Sequence, residues 1–164
     1  MSDFTAGQAS VEADALEQSV ASVLGRMLFE FARLDMALGL CLAWSDNGRQ
    51  IDARSDQVSH YGFHKRLDYL RTLVFEAFPA ESREHIEYCE WLTRADKVRL
   101  VRNKLVHGRW GIDPYRQQAI NIVGLPTSAE QAETRYTIEE LEATLAEMKV
   151  LGARFSALRG QWPL

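Results

Sequence analysis

The sequence has few of the residues that build metal centres, disulfide frameworks or membrane spans. Its 164 residues include two cysteines and four histidines, and neither a CxxC motif nor a zinc-type Cys/His spacing occurs. The longest nearly uncharged apolar run, residues 36–44, is far shorter than the roughly 20 residues of a membrane helix. The N-terminal residues lack the basic start and apolar core of a signal peptide. We therefore expect a cytoplasmic protein with no membrane partner, no metal and no cofactor.

The composition is that of a folded chain whose charge is unevenly distributed. Hydrophobic residues make up 46% of the chain and charged residues 26%, and the formal net charge is −4. The segment from Arg94 to Arg109 holds six basic side chains and the single acid Asp96, so that it carries +5 and leaves −9 on the remainder. Such a chain is not a general nucleic-acid coat, but the basic segment can hold a phosphate or another anion.

The spacing of apolar residues predicts a mainly all-α fold. Residues 1–11 are expected to form a flexible N-terminus, and the polar residues 49–59 a loop. The helices are predicted over about residues 11–44, 62–78 and 81–108, with a last helix that opens at Thr137 and runs through Leu141 to Gly160. Gly108 is placed to stop the third of them. The expected architecture is a four-helix bundle forming one domain over residues 12–160.

One extended insert is predicted between the third and last long helices. Residues 110–124 contain apolar residues near glycine and proline, which indicates a short strand or β-hairpin. Residues 125–134 are expected to form a loop. Thr137 and Glu140 have the spacing of a capping box, in which each side chain bonds the backbone N–H of the other residue, and this box predicts the start of the last helix.

The only chemistry-like cluster in the sequence closes the third helix. Asn103 and His107 are four residues apart, about 40° around an ideal helix, so they share a face. Arg99 lies four residues before Asn103 and continues the same row. Arg102 is about 140° from His107 on a straight helix, and its long side chain must bend to approach the histidine.

Two interpretations of this cluster are open on the residues alone. Basic side chains in the last turns of a helix compensate the negative end of its dipole, while Asn103 bonds a loop and His107 the terminal carbonyls. Alternatively, the cluster is a phosphate-handling site, because arginine binds phosphate in a bidentate way and histidine transfers protons near neutral pH.

The segment from Arg102 through Asn103 to His107 resembles the Arg–polar–x–x–x–His motif of the HEPN superfamily, whose members are small helical bundles. The resemblance extends over about residues 20–158, through the ordered segments FEFARLDMALG, FHKRLDYL, RNKLVHGRW and YTIEELEATL. It implies a homodimer in which the motifs of two subunits meet at a shared cleft. Active members are metal-independent endoribonucleases that use the ribose 2′-OH as nucleophile and leave a 2′,3′-cyclic phosphate.

The resemblance also implies roles for individual residues. His107 is expected to transfer the proton, Arg102 to stabilise the phosphorane charge, and Asn103 to orient one of them. The residues expected to contact RNA or its phosphates are Arg99, Lys104, Arg109 and Trp110. A small member of this kind is similar to the toxin of a toxin–antitoxin or phage-defence pair, which implies an antitoxin or other protein partner. The alternative is a catalytically silent dimeric scaffold or partner-binding module.

The remaining histidines and the cysteines are weaker candidates. His60 and His64 are four residues apart and could ligate a metal, but two ligands are too few, and a solvated turn is the more typical interpretation. His85 lies in an acidic first turn and is expected at the surface. Cys41 and Cys89 are expected to be core thiols, because neither has the basic neighbours of a reactive thiolate.

Large apolar residues raise two further alternatives. Trp91 and Trp110 flank the basic segment, where each can either stack on an RNA base or fill the core. The long first helix carries apolar residues around much of its circumference, and these include Phe29, Phe31, Leu38 and Leu40. A second helix-on-helix contact, consistent with a dimer, accounts for them, and complete burial within one chain is the competing account.

Overall fold

The structure, a computed structural model, describes residues 6–164 and is mainly helical. The helices are α1 Ala6–Trp44, α2 Ile51–Ser59, α3 Phe63–Ala77, α4 Arg83–His107 and α5 Ile138–Gln161, with a short 3-10 helix at Ser45–Gly48. The strands are β1 Arg109–Asp113, β2 Gln118–Val123 and β3 Ala132–Tyr136. The prediction of a mainly helical chain with a short β segment between the third and last long helices is confirmed. None of the helices in the described part of the chain has the length and apolarity needed to cross a bilayer.

Two boundaries predicted at the start of the chain differ from the structure. Helix α1 begins at Ala6, so part of the segment expected to be flexible is helical, and residues 1–5 lie outside the described residues. The loop predicted over residues 49–59 is wrong, because α2 occupies most of it. Helix α2 is held by the buried side chain of Val58 and by Arg54, whose guanidinium contacts the Ser45 hydroxyl and pairs with Asp46 at 3.0 Å.

The turn between α1 and α2 uses left-handed backbone. Asp46, Asn47 and Gly48 have φ values of 62°, 59° and 72°, a region in which glycine alone is free of steric cost. The Asp46 carboxylate accepts a hydrogen bond from the backbone N–H of Arg49 at 3.0 Å, which stabilises the turn. The predicted stop of the first helix at these turn residues is therefore confirmed.

The described residues form two compact units. The first contains residues 6–28 and 101–146, and the second contains residues 29–100 and 147–164. Buried apolar side chains of the first unit include Leu16, Val20, Met27, Leu105, Leu141 and Leu145. Buried apolar side chains of the second unit include Leu38, Leu67, Leu70, Trp91, Leu151 and Phe155.

The first unit contains a three-stranded antiparallel sheet with the order β1-β2-β3. In its register Asn121 of β2 lies opposite Trp110 of β1 and Thr134 of β3. Ala119 and Asn121 are buried, so alternate residues of β2 face the interior of the unit. The loop predicted over residues 125–134 is wrong at its end, where β3 begins at Ala132.

The second unit is built from helical segments that pack through aromatic and ion-pair contacts. Trp91 of α4 stacks on Phe155 of α5, with ring centroids 4.4 Å apart. The Arg94 guanidinium forms two hydrogen bonds of 2.9 Å with the Glu147 carboxylate, in a bidentate pair between the same two helices. These contacts fix the first half of α4.

The capping box predicted at the start of the last helix is confirmed. The Thr137 backbone N–H donates to Glu140 Oε2 at 2.9 Å, and the Glu140 backbone N–H donates to Thr137 Oγ1 at 3.2 Å. Each bond satisfies an N–H that the helix itself leaves without a partner.

We expect Thr137→Ala to lower the free energy of unfolding by about 1 kcal/mol, because it removes the N-cap acceptor. Urea denaturation followed by circular dichroism measures the change. Thr144→Ala is the matched control, since Thr144 is, like Thr137, a half-buried threonine, and it lies inside the same helix with its hydroxyl bonded to the Glu140 carbonyl. Equal effects of the two substitutions would contradict the capping role of Thr137.

Candidate active site at the end of helix α4

The last two turns of α4 bring together two of the three residues expected to be catalytic. Arg102 Nη1 donates to Asn103 Oδ1 at 3.2 Å, and both side chains are half-buried. The Arg102 side chain therefore bends toward Asn103, which lies one turn before His107 on the same helix face. The Arg102 guanidinium thus contacts a side chain that shares a helix face with His107.

His107 is exposed in the last turn of α4. Within residues 6–164, neither a hydrogen bond nor an ion pair engages its imidazole. The alternative in which His107 bonds the terminal carbonyls is thus not what the structure shows. An exposed imidazole with no such partner is free to exchange a proton with a bound ligand.

The carbonyls at the end of α4 are bonded by other groups. The Gly108 N–H donates to the Lys104 carbonyl at 3.0 Å, and the Trp110 indole N–H donates to the Leu105 carbonyl at 2.9 Å. The half-buried Trp110 ring also lies 6.0 Å from the ring of Tyr136, between centroids. Trp110 therefore caps the helix and joins it to the sheet, while its expected stacking on RNA stays a prediction.

Gly108 stops α4 where the sequence predicts, but for a different reason. Its backbone is outside the left-handed region that Gly48 and Gly124 adopt. The carboxamide of Asn121 lies directly against it, so that a Cβ at this position would overlap the Asn121 side chain. Sequence reasoning missed Asn121, and its only signal was a single polar residue between Ile120 and Ile122 in an apolar strand.

The four residues expected to contact phosphate or RNA differ in their exposure and in the hydrogen bonds and ion pairs that they form within the chain. Arg99 is half-buried, forms an ion pair of 2.7 Å with Asp96, and belongs to the second unit, whereas the other three belong to the first. Lys104 is exposed on the last turns of α4. Arg109 is also exposed, and its guanidinium donates to Gln131 Oε1 at 2.6 Å. Lys104 and Arg109 are therefore the cations of this set that remain open to solvent.

A further arginine of the sheet is neutralised by acids. Arg135 pairs with Asp113 at 3.0 Å and with Glu133 at 2.9 Å. Desolvation raises the pKa of Asp113. Hydrogen bonds from the Arg116 backbone N–H and the Arg135 side chain lower it, as do the charges of both arginines, and the net result is a pKa below the usual value. The Asp113 carboxylate thus stays ionised near neutral pH and occupies Arg135.

In the part of the chain that the structure describes, no group of three or more His, Cys, Asp or Glu side chains is placed to hold a metal ion. His64 instead lies 3.4 Å from the Asp68 carboxylate, and His60 Nδ1 lies 2.7 Å from the Asp56 carbonyl oxygen. The expectation that His85 is a surface residue is wrong. His85 is only 7% exposed, and the ring of Phe75 lies edge-on to it with the ring centroids 4.6 Å apart.

The core interpretations of Cys41 and Trp91 are confirmed. Cys41 is buried, and burial raises the pKa of its thiol although the nearby Arg159 opposes the shift. Cys89 is half-buried. Trp91 is fully buried and donates its indole N–H to the Leu151 carbonyl at 2.9 Å, so it is not available to stack on RNA.

Comparison with known proteins adds no relative. No family model matches the chain, and neither a curated protein nor a solved structure shows significant similarity to it.

Proposed function

We propose that this protein is a metal-independent endoribonuclease whose catalytic residues are Arg102, Asn103 and His107. The observation that carries the proposal is the paired arrangement at the end of α4. The Arg102 guanidinium is bonded to Asn103 at 3.2 Å, and the exposed imidazole of His107 follows one turn later. A fixed cation beside an available proton carrier is the minimum that cleavage of RNA by its own 2′-OH requires.

In the proposed reaction RNA supplies the nucleophile. The 2′-oxygen loses its proton to an imidazole and forms a bond to the adjacent phosphorus, and the bond from phosphorus to the 5′-oxygen breaks. A protonated imidazole returns a proton to the leaving 5′-oxygen, so that the products are a 2′,3′-cyclic phosphate and a 5′-OH. Arg102 stabilises the added negative charge of the phosphorane, since a planar guanidinium matches the geometry of phosphate oxygens and can bind two of them at once. Asn103 orients that guanidinium.

The order of elements supports a HEPN-like interpretation of the fold. Four long helices, α1, α3, α4 and α5, follow one another with an extended insert between the last two. The insert is a three-stranded sheet, and α2 is a short addition between α1 and α3. In this proposal the motif closes the third long helix, at the start of the insert.

We further propose that the active form is a homodimer, which gives one histidine as base and one as acid. Helix α1 presents an unpaired apolar stripe, with Phe29 69% exposed, Met36 63% exposed and Leu40 49% exposed. Their spacing of seven and four residues places the three side chains on one face of the helix. Phe31 and Leu38 are buried, whereas Phe29 and Leu40 are exposed, so complete burial of these four residues within one chain is not observed.

We expect Met36→Glu to weaken the dimer by about tenfold or more, because it places a charge in the middle of the apolar stripe. Sedimentation equilibrium over a range of concentrations measures the effect. Val150→Glu is the matched control, since Val150 is an apolar residue of α5 with 49% exposure. A wild-type monomer, or a Met36→Glu dimer as tight as that of Val150→Glu, would contradict the proposed interface.

A catalytically silent scaffold is the second candidate, and the apolar stripe of α1 is the observation that favours it. A surface of this kind also serves a protein that only binds a partner. In that case the residues at the end of α4 stabilise the helix end and do no chemistry. The nuclease proposal carries with it a cytoplasmic location and an antitoxin or other protein partner that restrains the activity.

Cleavage of a single-stranded RNA with one 2′-deoxy nucleotide tests the proposed chemistry. The experiment runs in excess EDTA and first maps where the all-ribose RNA is cut. We expect a 2′-deoxy substitution on the 5′ side of that bond to abolish its cleavage, because the nucleophile is absent. The same substitution at a neighbouring uncut bond is the control. Undiminished cleavage at the 2′-deoxy site would contradict the proposal.

A further inference from the structure

Asn121 is a buried polar residue of β2, where it stands between Ile120 and Ile122. It is 1% exposed, and it pairs in the sheet register with Trp110 of β1 and Thr134 of β3. Among the residues that the structure describes, no group accepts a hydrogen bond from its Nδ2. Leaving such a donor buried without a partner lowers the stability of the fold. A leucine of similar size would avoid that cost, so packing alone does not account for the amide.

The location of this carboxamide connects it to the candidate active site. It lies against Gly108, the residue that directly follows His107, at a distance that leaves no room for a Cβ. Asn121 therefore restricts position 108, where the chain leaves α4, to glycine. Trp110, its partner across the sheet, bonds the Leu105 carbonyl and fixes the same turn from β1.

We propose that Asn121 is a positioning residue for His107, an inference that rests on the proposed nuclease function. Its carboxamide sets the direction in which the last turn of α4 presents the imidazole. Its N–H has no acceptor among the described residues, and it becomes the donor that secures this turn when the substrate phosphate engages His107. The Nδ2 atom is buried, so Asn121 acts through the histidine and does not touch RNA.

A positioning role predicts a specific kinetic signature. A displacement of about 1 Å in a catalytic group reduces the rate of the chemical step by about 100-fold. Substrate binding depends on exposed cations such as Lys104 and is not affected by that displacement. Loss of the Asn121 amide is therefore expected to lower kcat and to leave KM within about twofold of the wild-type value.

The test compares wild-type protein with Asn121→Leu, which keeps the side-chain size and removes the donor. We expect the midpoint of urea unfolding to be unchanged or raised, and kcat to fall by about 10- to 100-fold. A second comparison uses Gly108→Ala, whose added methyl group collides with Asn121, and the double variant Gly108→Ala/Asn121→Ala, which makes room for it. The double variant is expected to recover stability without recovering kcat.

The outcomes separate this inference from the proposed function. If the wild type is active, two results overturn the positioning role. One is an unchanged kcat in Asn121→Leu, and the other is a double variant that recovers kcat together with stability. A wild type that cleaves no RNA overturns the proposed function, and the NMR signals of the His107 imidazole then decide the role of Asn121. If the His107 signals shift in Asn121→Leu while the His60 signals do not, the positioning role is supported. If the His107 signals do not shift, it is contradicted.

Discussion

Replacement of His107 by alanine is expected to reduce RNA cleavage by about 10²- to 10⁴-fold, the range that a positioned general acid or base contributes. The same substitution is expected to leave the fold intact. His107 is exposed, and in the described part of the chain its imidazole has no hydrogen bond or ion pair to lose. Single-turnover cleavage in EDTA measures the activity, and urea unfolding measures the stability of the same preparation.

His60→Ala is the matched control for this experiment. His60 is likewise an exposed histidine at the end of a helix, with its imidazole beside the Asp56 carbonyl of its own helix. We expect cleavage by this variant to equal that of the wild type. Arg102→Ala is expected to lose RNA-cleaving activity as His107→Ala does, because it removes the cation of the site. Equal activity of His107→Ala and His60→Ala would show that the imidazole at the end of α4 performs no chemistry.

Replacement of Trp91 by alanine is expected to have the largest effect on stability. Truncating a fully buried tryptophan removes about 3–5 kcal/mol from the free energy of unfolding. Trp91 is 0% exposed, stacks on Phe155 and donates its indole N–H to the Leu151 carbonyl. The substitution therefore opens a cavity between α4 and α5 and removes a buried hydrogen bond.

Trp91→Phe separates the two contributions. Phenylalanine keeps a ring against Phe155 and loses the indole N–H that donates to the Leu151 carbonyl. We expect Trp91→Phe to lose about 1–3 kcal/mol of stability for the missing hydrogen bond and the smaller ring. This loss is smaller than that of Trp91→Ala. Urea unfolding measures both variants. A loss below about 1 kcal/mol in Trp91→Ala would contradict the core role of Trp91.

Local patterns predicted those parts of the fold that local physics determines. The apolar period of α1 and the reciprocal hydrogen bonds of Thr137 and Glu140 depend on residues within a few positions of one another. Helix α2 was missed because its nine residues bury only Val58, and its anchor is an arginine that reaches back to the preceding turn. Strand β3 was missed because its sequence, AETRY, lacks apolar alternation and is held by pairing with β2.

In the candidate site, too, the features set by local sequence could be predicted and those set by distant contacts could not. The spacing of Asn103 and His107 on one helix face follows from the sequence, because helix geometry alone sets it. The bond from Arg102 to Asn103 does not follow, since it depends on the rotamer that the surrounding chain imposes. Asn121 could not be assigned to the site because its contact with Gly108 comes from the pairing of β2 with β1.

End-group analysis of RNA cut by the wild-type protein in excess EDTA tests the central claim most directly. The substrate is labelled single-stranded RNA or tRNA, and sedimentation of the same sample reports the oligomeric state. The nuclease proposal predicts products with 2′,3′-cyclic phosphate and 5′-OH ends, formed by a dimer and absent with His107→Ala. An intact substrate after incubation with a well-folded dimer, or products that carry 5′-phosphates, would contradict it.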